Sequence, residues 1–263
     1  MIESNEGENI LQSVDRIAMI LQLVSKFTEG VGITELYRSS NLPKSTLHRI
    51  LTALIKHGYV MQNKDNKKYR LGPSFLILGA NYLYQNDLRK IAAPYLKKLG
   101  QELNETVFLT IFQNELVICI DTYEVSRNNV TYFVRQGRAM PFNCTAAAKI
   151  ILAYQEEKVI KKLVVPKNMV KNTEKSIVNP NLFIEHLKEI KKKGYSTCEG
   201  EMEEAVMAIA APIWNMNSIV VGSVATVGLL DRIKNLEKDF IKKIKKTACL
   251  ISYEMGCSFK RLS

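Results

Sequence analysis

The stretch from Leu42 to Val60, LPKSTLHRILTALIKHGYV, constrains this chain more than any other. Its apolar residues Leu47, Ile50, Leu51, Leu54 and Ile55 recur at i, i+3, i+4, i+7 and i+8, the stripe of one helix face. A strand alternates with period two and cannot gather these residues on one side. The opposite face carries Lys44, Ser45, His48, Arg49 and Thr52, all able to donate hydrogen bonds. Pro43 suits the first turn, where a missing N–H costs nothing. Gly58 suits the position past the end, with Lys56 and His57 in the last turn. A helix buried on one side and cationic and donor-rich on the other fits a DNA major groove.

The flanks narrow that reading. Val14, Ile17, Ala18, Leu21 and Val24 mark a helix over Leu11–Phe27, with Ser13 as a plausible N-cap and Gly30 and Gly32 beyond its end. Thr34 opens a short helix, and Asn41-Leu42 turns into the polar-faced one. That order is a helix-turn-helix. After Gly58, two β-like runs (Tyr59–Gln62 and Lys68–Leu71) enclose turn residues Asn63–Asn66. A basic-tipped hairpin there makes the domain winged, with Lys64, Lys67 and Lys68 placed for phosphate.

Charge supports the same partner. The formal net charge is +11, from 37 basic and 26 acidic residues. Between Tyr37 and Gly72 it is concentrated: Arg38, Lys44, Arg49, Lys56, Lys64, Lys67, Lys68 and Arg70 stand against Asp65 alone. Such a local excess favours nucleic acid, whereas the later lysines (Lys188–Lys193, Lys238–Lys246) read as solvated helix faces. The acidic start MIESNEGENI is unlike a signal peptide, and no apolar run approaches the ~20 residues of a membrane helix. Cys119, Cys144, Cys198, Cys249 and Cys257 form no CxxC pair and share no metal-ligand spacing with His48, His57 and His186. Reduced thiols, a cytoplasmic location, no membrane, no metal site and no cofactor are expected.

Residues 1–9 read as a flexible arm, 10–72 as the winged helix-turn-helix domain, 73–87 as a linker helix and 88–263 as a second, α+β domain. Gly72-Pro73 closes the first domain. Ser74–Tyr84 is an apolar helix suited to packing on a partner subunit. Leu88–Glu102 is amphipathic, then Thr106–Phe112, Leu116–Tyr123 and Val130–Arg135 are rich in β-branched and aromatic residues. Helical patterns return at Cys144–Tyr154, Glu156–Leu163 and Asn181–Lys193. Strands Val206–Trp214 and Ile219–Val227 follow, joined at Asn215–Ser218, and Leu236–Met255 is a last helix. Helices around a mostly antiparallel sheet make an α+β fold.

Several separated motifs resemble the IclR family of bacterial transcription regulators over roughly residues 10–255. They include Ser13-Val14-Asp15-Arg16, Leu42-Pro43-Lys44-Ser45-Thr46, Gly58-Tyr59-Val60 and Tyr69-Arg70-Leu71-Gly72. In the second domain Ala93-Pro94-Tyr95-Leu96, Gly137-Arg138, Met140-Pro141, Cys144-Thr145-Ala146, Lys149, Lys193-Gly194-Tyr195 and Ile209-Ala210-Ala211-Pro212 follow in family order. The resemblance implies a GAF-like effector-binding domain, a small-metabolite effector (frequently a carboxylate or aromatic acid), and a homodimer or dimer of dimers on a palindromic operator. The chain departs from the family at Asn143 (often His), at Ala146-Ala147-Ala148 (often Gly-x-Gly), at Ala205 (commonly Gly) and at Met207 (frequently Cys). Those positions bear on the effector rather than the fold.

For DNA the candidate residues are Lys44, Ser45, Thr46, His48 and Arg49 on the helix, with Lys64, Lys67 and Lys68 on the wing. A solvated helix face is the bland alternative, and Thr46 can be an inward residue. For the effector they are Asn143, Cys144, Thr145, Ala146 and Ala147, at a helix start whose free N–H groups attract a carboxylate, with Glu199 and Met207. Tight helix packing explains the alanines equally well. Glu199, Glu201, Glu203 and Glu204 cluster beside Cys198 and suit a cation or an amine, or simply water. Cys144 and His186 lack an oxyanion or orienting motif, so a ligand-responsive repressor that is not an enzyme is expected ahead of a DNA-tethered thiol enzyme or a ligand-independent nucleoid-type binder.

Overall fold

The computed structural model describes residues 3–85, 87–126, 132 and 134–258. The chain divides into two compact units, Met1–Gln85 and Asn86–Ser263.

In the first unit, α1 (Glu3–Ser25), α2 (Ile33–Ser40) and α3 (Lys44–Lys56) precede the hairpin β1 (Val60–Gln62) and β2 (Tyr69–Leu71), and α4 (Ser74–Gln85) ends it. The stretch at 3–9, which the sequence suggests is an arm, is instead the first turns of α1, and Ser13 lies inside that helix rather than capping it. No proline interrupts residues 3–25, so polar composition alone does not end the helix. Leu47, Leu51 and Leu54 of α3 join Ile20, Val24, Val31, Leu36, Val60 and Tyr69 in one core. Burying each leucine contributes about 1.5–3 kcal/mol. Asn41, at φ 54°, ends α2 in the left-handed conformation that asparagine tolerates. At the hairpin's base a Cβ on Gly72 would lie 2.1 Å from the Gly58 carbonyl oxygen, so only glycine lets these segments touch. The Ser74 hydroxyl donates to the His57 carbonyl at 2.8 Å, and Tyr59 meets Phe75 edge-on, fixing the start of α4 on the end of α3.

The second unit is built on a five-stranded antiparallel sheet in the order β4-β3-β7-β6-β5. Its strands are β3 (Thr106–Gln113), β4 (Leu116–Tyr123), β5 (Ser196–Glu199), β6 (Val206–Trp214) and β7 (Val220–Leu229). The helices are α5 (Asp87–Leu103), α6 (Ala146–Ala153), α7 (Glu157–Leu163), α8 (Pro180–Lys193), α9 (Leu230–Asn235) and α10 (Glu237–Glu254). Together the units are an N-terminal helix-turn-helix followed by an α+β domain. Sequence patterning passes over β5 and α9, and the expected strand at Val130–Arg135 falls partly on residues 130, 131 and 133, outside the described residues. No helix among the described residues is long and apolar enough to cross a membrane.

All eight residues of α6 are buried, Lys149 included. A helix apolar all round belongs in a core, and α6 packs with Phe183, Leu187 and Ile190 of α8 and with Ala210 and Ala225 of the sheet. A cation enclosed there must be paired. Lys149 Nζ donates to both Glu201 carboxylate oxygens, at 2.6 and 2.7 Å. Glu201 sits in the segment between β5 and β6, which is held further where Thr173 Oγ1 donates to the Gly200 carbonyl (2.7 Å) and Ser176 Oγ to that of Glu201 (2.8 Å). The ion pair therefore fixes a loop whose Met202 and Glu203 line a cavity beside α6.

Candidate nucleic-acid interface and ligand cavity

The polar face of α3 is solvent-exposed. Lys44, Ser45, His48 and Arg49 are exposed and Thr46 is half-buried, while Leu47 and Leu51 point the other way into the core. Pro43 stands at the N-cap with no side-chain bond to the helix, leaving first-turn N–H groups available to an anion. Lys44 Nζ lies 5.4 Å from the centre of the Tyr37 ring, which positions that cation across the turn between α2 and α3. Tyr37, Arg38 and Arg70 are exposed too, and they extend the basic surface beyond the candidates read from the helix pattern.

The wing is ordered by its asparagines. Asn63 Oδ1 accepts from the backbone N–H groups of Asp65 and Asn66 (2.8 and 3.3 Å), and Asn66 Oδ1 accepts from that of Lys68 (3.0 Å). These local turns lift Lys64, Lys67 and Lys68 into solvent, with Lys67 at φ 56°.

The second unit contains a cavity between α6 and the sheet face that α6 covers. The space open to the centre of a water-sized sphere is ≈ 110 Å³, several times what one water needs. Phe108, Val206, Ala208 and Val227 form its floor from β3, β6 and β7. Tyr132, Val134, Arg138, Met140 and Pro141 form a second wall. Cys144, Thr145 and Ala146, at the α6 N-terminus, form the third, and Cys198, Met202 and Glu203 close it. Thr145 occupies the α6 N-cap, but its hydroxyl donates to the Pro141 carbonyl at 2.7 Å rather than capping the helix. Arg138 and the first N–H groups of α6 are thus positive features of a largely apolar space.

Of the effector candidates, Cys144, Thr145 and Ala146 border this cavity. Asn143 does not: its amide donates to the carbonyls of Val170 and Ile177 at 2.7 and 3.0 Å and accepts from Val170 N–H, a purely internal clamp. Ala147 is enclosed in the α6 core, its carbonyl accepting from Ser223. Met207 is fully buried on the opposite face of β6 from Val206 and Ala208, as the period of two requires. Glu199 lies apart, paired with Lys234 at 2.8 Å. The acidic run is therefore split: Glu199 pairs with Lys234, Glu201 with Lys149, and Glu203 borders the cavity. Arg138, Met202 and Val206 escape sequence reasoning, because only the topology brings those segments together.

Burial lifts the thiols here above their ordinary range. Burial, then the neighbouring Cys198 and Glu201, push the Cys144 thiol up to about 11 against the smaller opposing pull of Asn172 and Lys149. Burial also raises Cys198. His186 borders a different recess, with Tyr195 and Thr197, and burial followed by Lys149 pulls it down to about 4. Among the described residues, the side-chain partners of the Cys144 sulfur are Asn172 and Met202, neither of them a base.

Comparison with known proteins adds an independent finding. A model of the bacterial transcriptional regulator IclR C-terminal domain matches residues 80–253, and one of the IclR helix-turn-helix domain matches residues 13–64. The chain is 28% identical to the HTH-type transcriptional regulator XynR of Escherichia coli over 94% of this chain and 98% of that protein. It is 27% identical to the transcriptional repressor IclR of the same organism, over 85% and 82%. The crystal structure of an IclR homolog complexed with 4-hydroxybenzoate, from Microbacterium hydrocarbonoxydans, superimposes with a TM-score of 0.74 at 20% identity, covering 92% of this chain and 98% of that one.

Proposed function

Because the chain belongs to the IclR family of bacterial transcriptional regulators, we propose that it is a cytoplasmic repressor whose operator binding responds to a small carboxylate. The observation that carries the DNA half is α3 itself: Lys44, Ser45, His48 and Arg49 are exposed on one face while Leu47, Leu51 and Leu54 anchor the other. In this reading α3 enters the major groove and its first two turns reach base edges, with Arg49 placed for a bidentate contact to guanine. Thr46 supports the helix entry, and Lys64, Lys67 and Lys68 contact phosphate beside it. A homodimer or dimer of dimers on a palindromic site suits the exposed apolar residues of α4, Leu76, Ile77, Leu78 and Tyr82.

The effector half rests on the cavity. Its apolar floor favours a hydrocarbon or ring body, while Arg138 and the α6 N-terminus favour a carboxylate, with Cys144, Thr145 and Ala146 in contact. The ligand named for the Microbacterium homolog, 4-hydroxybenzoate, has that chemistry and is a reasonable first probe. No enzymatic step is assigned, since the enclosed Cys144 thiol is held protonated.

The test is a mobility shift on DNA flanking the protein's own gene, repeated with a panel of aromatic and aliphatic carboxylates. A retarded complex that one carboxylate dissolves is the expected result. Failure to bind any such fragment, with and without the panel, would refute the DNA half. Binding unchanged across a panel that also leaves the melting temperature unmoved would refute the effector half.

A further inference from the structure

Three sulfur-bearing residues border the cavity, and the repressor reading uses only Cys144 among them, as an effector contact. Cys144 Sγ lies 3.7 Å from Met202 Sδ. The Asn172 amide nitrogen stands 3.1 Å from each of those sulfurs. Cys198 Sγ donates to the Cys144 carbonyl oxygen at 3.0 Å, which sets the second thiol against the backbone of the first. Cys144 and Cys198 are 0% and 3% exposed, yet both, with Met202, line the open space. They come from the start of α6, from β5 and from the loop after it, so the fold gathers them.

The chemistry around them is soft. Among the described residues no three His, Cys, Asp or Glu side chains converge on one point. Glu201, the loop carboxylate whose charge bears on both thiols, has both oxygens committed to Lys149. Two thiols and a thioether remain, the donor set that prefers a monovalent, polarisable d¹⁰ ion to zinc or magnesium. A metal–sulfur bond of about 2.3 Å, with an angle between tetrahedral and trigonal, puts two sulfurs on one ion roughly 3.8–4.0 Å apart. The separation of Cys144 and Met202, 3.7 Å, already sits beside that range.

We propose that Cys144, Cys198 and Met202 form a binding site for copper(I). On binding, the two S–H bonds break and two copper–sulfur bonds form, while the thioether adds a third donor. The two protons pass to the buffer and no electron is transferred. The Asn172 N–H groups face the thiolate charge that results, and the Lys149–Glu201 pair beside the site is neutral overall. The site rests on the Cys144–Met202 separation and on Cys198 Sγ meeting the Cys144 backbone, and does not depend on a carboxylate effector.

The experiment titrates the full-length reduced protein, without oxygen, into a coloured copper(I)–bicinchoninate complex and follows loss of colour. One equivalent of copper per chain is expected to move to the protein. Cys144→Ser and Cys198→Ser should each weaken uptake by about 100-fold, and Met202→Leu by about tenfold, on the scale seen when metal sites are mutated. Cys249→Ser should leave it unchanged. Met202→Leu preserves the volume of a half-buried side chain, so it reports even where a cysteine variant folds poorly; emission of the sole tryptophan, Trp214, checks folding of each variant without metal. No transfer from the probe overturns the site. So does full uptake by the Cys144→Ser/Cys198→Ser double variant, or an affinity untouched by Met202→Leu. Operator and carboxylate binding are measured without copper, so their failure and this one are separate results.

Discussion

Glu201→Gln is the substitution whose cost follows most directly from the structure. It keeps the shape of the side chain and removes the charge that faces Lys149. Lys149 is fully enclosed at 0% side-chain exposure, so its ammonium cannot recover the loss from water, whereas Glu201 retains 12%. Breaking one side of such a pair leaves an uncompensated buried charge and costs about 3–5 kcal/mol. With a denaturant slope of about 2–3 kcal/mol per molar urea, the midpoint of the second unit should fall by roughly 1–2.5 M. Trp214, on β6, is the only tryptophan in the chain, so its emission reports that unit selectively. The reverse change, Lys149→Met, removes the enclosed cation and strands a carboxylate that water can still reach, so it should cost less. Combining it with Glu201→Gln should restore much of the loss, because no buried charge remains. A Glu201→Gln midpoint within about 0.2 M of the parent, or a double variant no better than Glu201→Gln alone, would refute this account of α6 and the loop it holds.

Arg49→Ala should weaken binding to a target operator by about 1–3 kcal/mol, roughly 5- to 150-fold, with discrimination relaxed at one base position and the melting curve unchanged; fluorescence anisotropy on single-base operator variants measures both. Replacing Lys64, Lys67 and Lys68 by alanine should weaken all sequences alike and flatten the slope of log K against log salt by about 0.9 for each phosphate no longer neutralised. Arg138→Ala should lower the affinity for a carboxylate effector while sparing DNA binding in its absence, as read by calorimetry and anisotropy on the same protein. His186 gives a pH signature. Its folded pKa, about 4, lies below the ordinary histidine value of 6.5, so the unfolded chain binds more protons between those pH values. Stability from this residue is complete above pH 6.5 and is lost as pH falls toward 4, and His186→Gln should reduce that acid-side loss in urea titrations.

The parts of the fold legible in the sequence are those where one element's own pattern decides its place. In α3, apolar residues at helical spacing and a donor face without acids define both the buried and the exposed side, and the turn asparagines of the wing act locally. The exposure of Ile55 at 39% shows the limit: the stripe is wider than the core that receives it. β5 escapes notice because four residues are too few for alternation to register, and Ser196 is held there by a bond to the Ala146 carbonyl, fifty positions away. The cavity is legible only at its α6 edge. Met207 and Val206 differ by one position in sequence and by a whole sheet face in space, so choosing Met207 reverses the answer. Asn143 shows a polar residue next to a helix start whose bonding is satisfied by distant backbone, which no local spacing reveals. The start of α1 misleads for the opposite reason, since its polar residues suggest disorder where nothing forbids a helix.

The central claim is that α3 and the wing form a DNA-reading surface. Anisotropy titrations of the full-length protein on a duplex from its own upstream region, at salt concentrations from about 50 to 200 mM, test it most directly. The predicted result is tight binding that weakens steeply with salt, with Arg49→Ala losing preference for that duplex over a scrambled one. Salt-independent binding, or an Arg49→Ala protein with undiminished preference, would contradict it.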